Sequence, residues 1–314
     1  MQINEGAVHE YFHFSGHFHS HFNSKTMYKS LLTTLPCLFL TLSLMGQNQY
    51  ENLSEYARIN TTGPNISINV VDADGDGWED IYVGRIGDAN QFFLNNGDGT
   101  FNEIAAIVCI ADEGLSYTSI WGDLDNDGDA DLYVGNRNSA NRLYRNEGNA
   151  VFTDITEEAG VGYESAPRSL LLSDVDRDGW LDIYVANLDD ENVLYRNNGD
   201  GTFTNVINDK LKHITQLSMG SDTGDINNDG LLDLITTDMT PEDHYRSKTN
   251  MASMSTEAFR TMVSAGAHYQ FMAYTFQVNS GMGTFSDIGN MAGIAFSDWS
   301  WASLLVDLDN DGLK

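Results

Sequence analysis

The sequence predicts an all-β fold, a β-propeller of four-stranded blades, from two motifs that recur together and from the strand-like segments between them. The first motif is acidic, as in DADGDGWED, and starts at Asp72, Asp123, Asp174, Asp225 and Asp307. The second is a glycine-rich turn, as in NNGDGTF, and ends at Phe101, Phe152, Phe203 and Phe285. Both advance in steps of 51 residues, except that each last step is 82 residues, one period plus an insertion of 31. Two independent markers with one spacing indicate an internal repeat.

Each repeat contains four short segments that are typical of strands. In the first repeat, residues 66–71 lead into the acidic motif and residues 80–85 leave it. Residues 90–95 end at the Asn-Gly and Asp-Gly pairs of the turn motif, which favour a β-hairpin, and residues 100–105 close the unit. Four strands in about 40 to 50 residues are typical of one propeller blade. A β-solenoid would need a shorter repeat.

The repeats divide the chain into three parts. We expect an N-terminal extension plus signal peptide at residues 1–46, a linker at 47–60, and propeller blades at 61–314, with the insertion at about 239–270. The last acidic motif stops at Lys314, one residue before its ninth position. We therefore expect four complete blades and a truncated fifth, so that the chain is an incomplete N-terminal fragment of a longer protein.

The N-terminal part has the features of a secretory signal. Lys25 and Lys29 precede an apolar run, residues 31–45, which is shorter than the ~20 residues of a membrane-spanning helix. We expect cleavage near Gly46 and a protein that is secreted or displayed at the cell surface, with no stable membrane span after cleavage. A retained signal anchor is the alternative, and the start codon is either Met1 or Met27.

Two further features concern metals and redox chemistry. A histidine-rich tract, His9 to His21, could bind transition metals, but it precedes Met27 and is absent if that residue is the true start. After signal cleavage Cys109 is the only cysteine, which excludes an intrachain disulfide. Its neighbours in IAAIVCIAD predict a small, buried and unreactive side chain.

The charge balance limits the classes of partner. The chain has 46 acidic and 16 basic residues, a formal net charge of -30, yet 41% of its residues are hydrophobic, which is enough for a folded core. Nucleic-acid binding needs a basic surface, and so does binding to anionic lipids. Such a chain is suited to cations, and we expect no nucleic-acid partner.

The acidic motifs have the ligand pattern of a calcium loop. Each complete loop offers side-chain oxygens at positions 1, 3, 5 and 9 and a glycine at position 6, which allows the positive φ needed to wrap an ion. The predicted ligands are Asp72, Asp74, Asp76, Asp80, Asp123, Asp125, Asp127, Asp131, Asp174, Asp176, Asp178, Asp182, Asp225, Asn227, Asp229 and Asp233, with Asp307, Asp309 and Asp311 in the truncated fifth loop. Oxygen-only sites favour calcium, whereas zinc prefers nitrogen or sulfur.

The predicted calcium ions are structural, about one per blade. An EF-hand would need a bidentate Glu at position 12 and flanking helices, but position 12 is Val83, Val134, Val185 or Thr236. Solvated acidic turns are the simpler alternative, although they do not explain fixed offsets in every copy. Asn227 removes one charge from the fourth loop, so we expect that site to bind more weakly. Since each loop joins two strands, ion binding should be coupled to folding.

The loops and the hairpin sequence NVLYRNNGDGTF, residues 192–203, resemble the FG-GAP or VCBS repeats of integrin-α-like β-propellers. The stretch GDINNDGLLDLITTDMTPEDHYRSKTNM, residues 224–251, and the general layout resemble bacterial secreted proteins that carry these repeats ahead of an ASPIC/UnbV-type C-terminal domain. The resemblance covers roughly residues 61–314. It implies a propeller, calcium and an extracellular location, and it adds little about mechanism.

The predicted topology gives the blades two different faces. Strands within a blade are antiparallel, so the loops between first and second strands lie on one side, the acidic-loop face. Loops between second and third strands, the connections between blades and the insertion, with a short helix predicted at residues 255–266, lie on the opposite face. Insertions in repeat proteins often mark a binding face. We expect a glycan or protein partner there, contacted by Arg85, Tyr117, Arg137, Arg168 and Trp301.

Two alternatives remain open. Tyr117 and Trp301 could instead pack between blades. The chain could also be a propeller-type glycan lyase or hydrolase, which would need a carboxylate pair or a histidine–carboxylate set away from the acidic loops. His244 with Glu242 and Asp243 is the only such cluster in the sequence, and His213 and His268 have no evident partner. The sequence therefore favours a calcium-binding adhesion or binding module over an enzyme.

Overall fold

A computed structural model describes residues 52–243, 245, 246, 249 and 256–309. The predicted signal peptide, the histidine-rich tract, His244 and Asp311 lie outside the described residues. Among the described residues, no helix has the length and apolar character needed to cross a membrane.

The described chain is built from four-stranded antiparallel sheets in which consecutive strands are neighbours, as the sequence predicted. A short helical turn, α1 (Ser54–Ala57), precedes the first sheet. Blade 1 contains β1 (Asn65–Val71), β2 (Asp80–Arg85), β3 (Gln91–Asn95) and β4 (Phe101–Glu103). Blade 2 contains β5 (Leu115–Gly122), β6 (Asp131–Arg137), β7 (Arg142–Asn146) and β8 (Phe152–Asp154). Blade 3, after α2 (Thr156–Ala159), contains β9 (Pro167–Ser173), β10 (Asp182–Asn187), β11 (Val193–Asn197) and β12 (Phe203–Asn205).

Blade 4 differs because the insertion separates its strands. After α3 (Ile207–Lys210) and β13 (Ile214–Thr215), its sheet is formed by β14 (Ser221–Gly224), β15 (Asp233–Thr236), β18 (Thr275–Asn279) and β19 (Phe285–Asp287). The insertion between β15 and β18 carries β16 (Met239–Thr240), α4 (Thr256–Ser264) and β17 (Gln270–Phe271), and α5 (Gly289–Ala292) and β20 (Asp298–Trp299) follow the blade. The helix predicted at residues 255–266 is therefore present as α4. β13 pairs with β17, and β16 pairs with β20, in two small additional sheets.

The hydrophobic core lies between neighbouring blades. Side chains alternate across a strand, so Leu132 of β6 contacts the apolar cluster shared with blade 1, whereas Tyr133 contacts the cluster shared with blade 3. Trp121 packs against Tyr82 and Phe152 at ring-centroid distances of 5.8 and 5.7 Å. A third cluster joins blades 3 and 4 in the same way. Each blade is thus covered by the next, which is the stacking that a propeller requires.

Short helical turns follow the fourth strands, where the sequence shows no helical period. A polar side chain that ends the strand accepts a hydrogen bond from the amide two residues later: Asp154 from Thr156 at 3.0 Å, and Asn205 from Ile207 at 3.1 Å. This bond begins a single turn that is too short for an apolar periodicity to appear in the sequence.

One local prediction was wrong. Cys109, expected to be buried, is exposed, because it ends a turn at a positive φ of 64° and the next residue, Ile110, takes the buried position instead. Residues 300–306, where the sequence predicts the start of a truncated fifth blade, form no strand. This segment still lies beside blade 4, where the Leu305 amide donates to Asp222 at 2.6 Å. In blades 1 to 4 the first strand pairs with the second strand of the same blade. The described part of the chain contains no second strand that could pair with residues 300–306.

Candidate calcium sites and the opposite face

Each acidic loop wraps around the carboxylate at its first position. In blade 1, Asp72 accepts hydrogen bonds from the amides of Gly75 and Asp76 at 3.0 and 3.1 Å and from Gly77 at 2.9 Å. The loops that begin at Asp123, Asp174 and Asp225 repeat the bonds to positions 5 and 6. The glycine at position 6 has the predicted positive φ, 90°, 99°, 91° and 81° along the four loops. The sequence thus encodes a preformed loop rather than a flexible acidic turn.

The first three loops bring carboxylate oxygens close enough to share one ion. The groups are Asp72, Asp74 and Asp80; Asp123, Asp125 and Asp127; and Asp174, Asp176 and Asp182, with one oxygen from each residue within 4.8 Å of the others. Calcium–oxygen distances are about 2.3–2.6 Å, so two ligands of one calcium ion lie at most about 5 Å apart. The spacing and the all-oxygen donor set therefore fit calcium. Each group contains three of the four predicted side chains of its loop.

The carboxylate at position 9 is buried and held in place. Asp131, 2% exposed, accepts the amide of Leu124 at 2.9 Å through one oxygen and the amide of Asn146 at 2.8 Å through the other. Burial raises the pKa of Asp131 to about 7 and the pKa values of Asp80 and Asp182 to about 6, although these backbone hydrogen bonds act in the opposite direction. A bound cation would favour the ionised carboxylates, because opposite charge offsets their desolvation.

An asparagine of the turn motif, which the sequence identified only as part of the turn, links neighbouring blades. The first Asn of the turn motif is buried in blades 2 to 4, and in blade 2 the side-chain amide of Asn146 donates to the carbonyl of Ala73, in the acidic loop of blade 1, at 2.8 Å. Asn197 makes the same bond to Leu124 at 2.8 Å, and Asn279 to Val175 at 2.9 Å. Each of the first three loops is thus linked to the next blade. In the sequence the position is marked only by an Asn 23 residues after the start of each of the first three acidic motifs, which does not reveal the contact between blades.

The fourth loop differs from the first three. Asn227 donates its side-chain amide to Asp229 at 2.9 Å, so a carboxylate oxygen that could face an ion is occupied by a hydrogen bond. Among the described residues, this loop does not contribute a group of three clustered carboxylates. In the fifth loop, Asp307 and Asp309 are described, and Asp311 is not.

On the opposite face, the structure brings together three of the five predicted ligand-binding residues. Arg137 donates to the Tyr117 hydroxyl at 3.2 Å, and its guanidinium carbon lies 5.6 Å from the ring centroid. The guanidinium carbon of Arg168 lies 4.6 Å from the same centroid. The hydrogen bond from Arg137 is the main cause of a lowered pKa at Tyr117, and it outweighs the opposing effect of burial. We call these three side chains the Tyr117 cluster.

The other two predicted residues have different environments. Arg85 is buried, donates to the carbonyls of Thr62 and Ala89, and pairs with Asp88 at 2.9 Å, so it holds its own chain segment in place. Trp301 is 68% exposed and therefore does not pack between blades. Tyr117 is half-buried and in contact with both arginines.

The histidines that lacked an evident partner in the sequence have partners in the structure. His213 lies 3.0 Å from the Asp287 carboxylate, and its ring contacts Phe271 edge-on at 5.3 Å. His268 is buried and bonds the carbonyl of Leu211 at 3.0 Å through Nε2. The pairs were missed because their members are 74 and 57 residues apart and come together only through the blade contacts.

A cavity of about 1010 Å³ lies between blades 2 and 3, away from the predicted ligand residues. Its lining includes Tyr163, Tyr195 and the carboxylates of Glu157 and Glu158. Arg142, also in the lining, pairs with Asp154 at 3.1 Å, so its charge is already balanced.

Comparison with known proteins agrees with the repeat pattern. The FG-GAP-like repeat family matches residues 72–134, 123–185 and 174–236. Cartilage acidic protein 1 from Homo sapiens is 30% identical over 175 residues, which cover 50% of this chain and 25% of that protein. The protein of the same name from Mus musculus is 29% identical over 175 residues, covering 50% and 26%. The match therefore spans about a quarter of the length of these relatives.

Among solved structures, similarity extends to a lectin from Agrocybe aegerita described as recognising non-reducing terminal N-acetylglucosamine. The two chains share 19% sequence identity with a TM-score of 0.37, and the match covers 69% of this chain and 49% of the lectin.

Proposed function

The chain belongs to the FG-GAP-like repeat family, and from that premise we propose that it is an extracellular calcium-binding β-propeller module. In this proposal its opposite face binds a glycan or a protein partner. The acidic loops hold the blades in register, and the opposite face supplies specificity. The protein acts by binding and adhesion rather than by catalysis.

The observation that carries the proposal is the recurrence of a group of three clustered carboxylates in each of the first three loops, always including positions 1 and 3. Two like charges about 4 Å apart repel by about 4 kcal/mol at the effective dielectric constant near a protein surface. Every loop nevertheless holds its carboxylates together through backbone hydrogen bonds. A divalent cation removes this repulsion, and with no disulfide available to the exported chain it would also stabilise the fold.

An extracellular location is part of the proposal. It is supported by the signal-like segment at residues 31–45 and by the suitability of such loops for calcium at extracellular concentrations. Expression with the native N-terminus, followed by N-terminal sequencing of protein recovered outside the cell, tests it. We expect a mature start near Gly46. Recovery only in the cytoplasm with an intact N-terminus would contradict the proposal.

The calcium sites are tested by isothermal titration with two variants of one loop. Asp125→Asn changes a member of the second carboxylate group, whereas Asp129→Asn changes a half-buried carboxylate in the same loop that belongs to no group. We expect Asp125→Asn to remove or strongly weaken one site per chain and Asp129→Asn to leave the stoichiometry unchanged. Equal effects of the two variants would mean that general negative charge, and not a built site, attracts the ion.

A glycan lyase or hydrolase is the rival function, and the His213–Asp287 pair is the observation in its favour. The carboxylate of Asp287 also accepts the amides of Phe276 at 2.8 Å and Gly289 at 2.9 Å, which is the structural role that Asp154 has in blade 2. Burial would raise the pKa of Asp287, but the hydrogen bond from His213 and those amides outweigh it and lower the pKa. The pair is thus explained by the fold. Cleavage of a polysaccharide by purified protein, lost in His213→Ala, would establish the rival.

A further inference from the structure

The Tyr117 cluster contains two positive charges that lack carboxylate partners. Arg137 and Arg168 both contact the ring of Tyr117, and neither forms an ion pair with a carboxylate of the described chain. The Nε of Arg168 is buried and has no hydrogen-bond partner. In contrast, Arg85, Arg142, Arg145 and Arg246 are each paired with a carboxylate.

Other described arginines also lack an ion pair, but Arg58, Arg177 and Arg260 are exposed to solvent. The two arginines of the Tyr117 cluster differ because both are half-buried and share one ring. Two guanidinium groups that share one phenol repel each other, and the attraction of each to the ring offsets only part of that repulsion. An anion placed between them would be stabilised by both charges. Arg side chains bind carboxylate and sulfate oxygens through parallel hydrogen bonds.

The fold places these side chains together by a repeated irregularity. The pairing of first and second strands skips one residue in each of the first three blades, which leaves Ile66, Tyr117 and Arg168 unpaired at β-bulges. A bulge redirects a side chain out of the regular ladder. First strands of successive blades are neighbours, as the 3.0 Å contact between the hydroxyls of Ser67 and Ser119 shows. Bulge residues of adjacent blades can therefore contact each other, as Tyr117 and Arg168 do.

We propose that the Tyr117 cluster binds the anionic group, a carboxylate or a sulfate, of an acidic glycan. The proposal rests on the proposed function, since it names the ligand class for the opposite face. Arg137 and Arg168 contact the anion, and Tyr117 positions both guanidinium groups.

An acidic sugar fits this surface better than an acidic peptide does. At the repeat position equivalent to Tyr117, the start of the fifth repeat carries Trp301, whose side chain is 68% exposed. The backbone of Trp301 lies against Gly220 of blade 4, so this indole belongs to the same series of first-strand positions. Exposed aromatic rings pack well against the apolar faces of sugar rings because one side chain offers a large, rigid surface. The first-strand positions therefore present both a guanidinium pair and, in a later repeat, an exposed indole, which favours a chain of charged sugars over a peptide.

The test measures binding of defined probes to the whole chain in the presence of calcium, by isothermal titration. Trigalacturonate and a heparin-derived tetrasaccharide supply carboxylate and sulfate, maltotriose is the neutral sugar, and triglutamate is the acidic peptide. Arg168→Gln and Arg137→Gln remove one cation each, and Arg142→Gln removes a paired arginine in the separate cavity between blades 2 and 3. Thermal melting and calcium stoichiometry are measured for every variant to confirm that it folds.

We expect one or both acidic sugars to bind, with affinity that falls about tenfold in Arg168→Gln and in Arg137→Gln, and further in the double variant. Arg142→Gln should bind like the wild type, and maltotriose should bind weakly or not at all. Tighter binding of triglutamate than of either sugar would overturn the assignment to glycans. Binding of neutral sugars that is insensitive to both arginines would overturn the anion site but leave the proposed function intact. Binding of none of the probes by calcium-loaded protein would overturn the inference, whereas loss of calcium binding itself would contradict the proposed function.

Discussion

The two faces of the blades differ in how strictly their sequence is repeated. On the acidic-loop face, positions 1, 6 and 9 carry the same residue types and make the same backbone hydrogen bonds in all four complete loops. On the opposite face, the equivalent bulge positions carry Ile66, Tyr117 and Arg168 in successive blades. The acidic-loop face is constrained because its loops are held by repeated backbone hydrogen bonds and contact the next blade. A face that only presents side chains can differ in every blade.

The inter-blade asparagines explain why the acidic-loop face is constrained beyond its carboxylates. Ala73, at position 2 of the first loop, donates its amide to Asp80 at 3.1 Å and accepts the side chain of Asn146 from blade 2 at 2.8 Å. A change in loop conformation would therefore disturb the neighbouring blade as well. On the opposite face, the guanidinium group of Arg168 contacts the Tyr117 ring of the preceding blade.

Calcium removal should lower the melting temperature far more than a substitution on the opposite face does, and this is the largest effect that we expect. At a free calcium concentration one hundred times the dissociation constant, each site adds about 2.7 kcal/mol to the free energy of unfolding, so three sites add about 8 kcal/mol. We expect EGTA to lower the melting temperature strongly, and Arg168→Gln to leave it nearly unchanged in calcium. Circular dichroism melts measure both. A melt that is the same with calcium and with EGTA would contradict a structural role for the loops.

The inter-blade asparagine should be the next most sensitive position. Asn146→Ala leaves the buried carbonyl of Ala73 without its partner, and a buried unsatisfied polar group costs about 1–3 kcal/mol. Asn95→Ala is the matched control, because Asn95 bonds only within its own blade, to Glu79 at 2.8 Å. Urea denaturation in calcium should show a greater loss for Asn146→Ala, by about 1–2 kcal/mol. Equal losses would mean that the contact between blades adds nothing.

The sequence predicted the blades, the acidic loops and the position of the insertion, because these depend on local patterns that repeat. Asn146 escaped notice because its role lies in a contact with Ala73, 73 residues away, which no local pattern reveals. The His213–Asp287 contact and the clustering of Tyr117 with Arg168 depend likewise on how blades stack. Cys109 was misjudged because apolar neighbours were taken to indicate burial, whereas the turn that ends there directs its side chain to solvent. Local sequence patterns predict the strands and loops of each blade. Contacts between blades, which determine the surface clusters, are visible only in the folded structure.

Restoring the missing charge should make the fourth loop resemble the first three. Asn227→Asp removes the amide that donates to Asp229 and supplies a carboxylate at position 3. We expect calcium affinity at this loop to rise by about tenfold, or one additional ion to become detectable. Isothermal titration of Asn227→Asp against Asn228→Asp, a change at the adjacent position 4, measures the effect. An equal rise in both variants would point to net charge rather than to ligand position.

The smallest expected effect is a difference in pH dependence between the faces. Burial raises the pKa of Asp131 to about 7 in the absence of a cation, so protons compete with calcium there at higher pH than for an ordinary carboxyl group. Lowering the pH from 7 to 6 should weaken binding at the second loop by about fivefold, because the ionised fraction falls. Guanidinium groups stay protonated over this range. Calcium titrations at the two pH values test this, and an unchanged affinity would mean that Asp131 does not contact the ion.

The most direct test of the central claim is a crystal structure of the protein grown in calcium, with anomalous difference maps collected where calcium scatters measurably. We predict one peak within each of the first three acidic loops, bounded by the carboxylates of Asp72 and Asp80, of Asp123 and Asp127, and of Asp174 and Asp182. Ordered loops without peaks, in crystals of protein that retain these hydrogen bonds, would contradict the account.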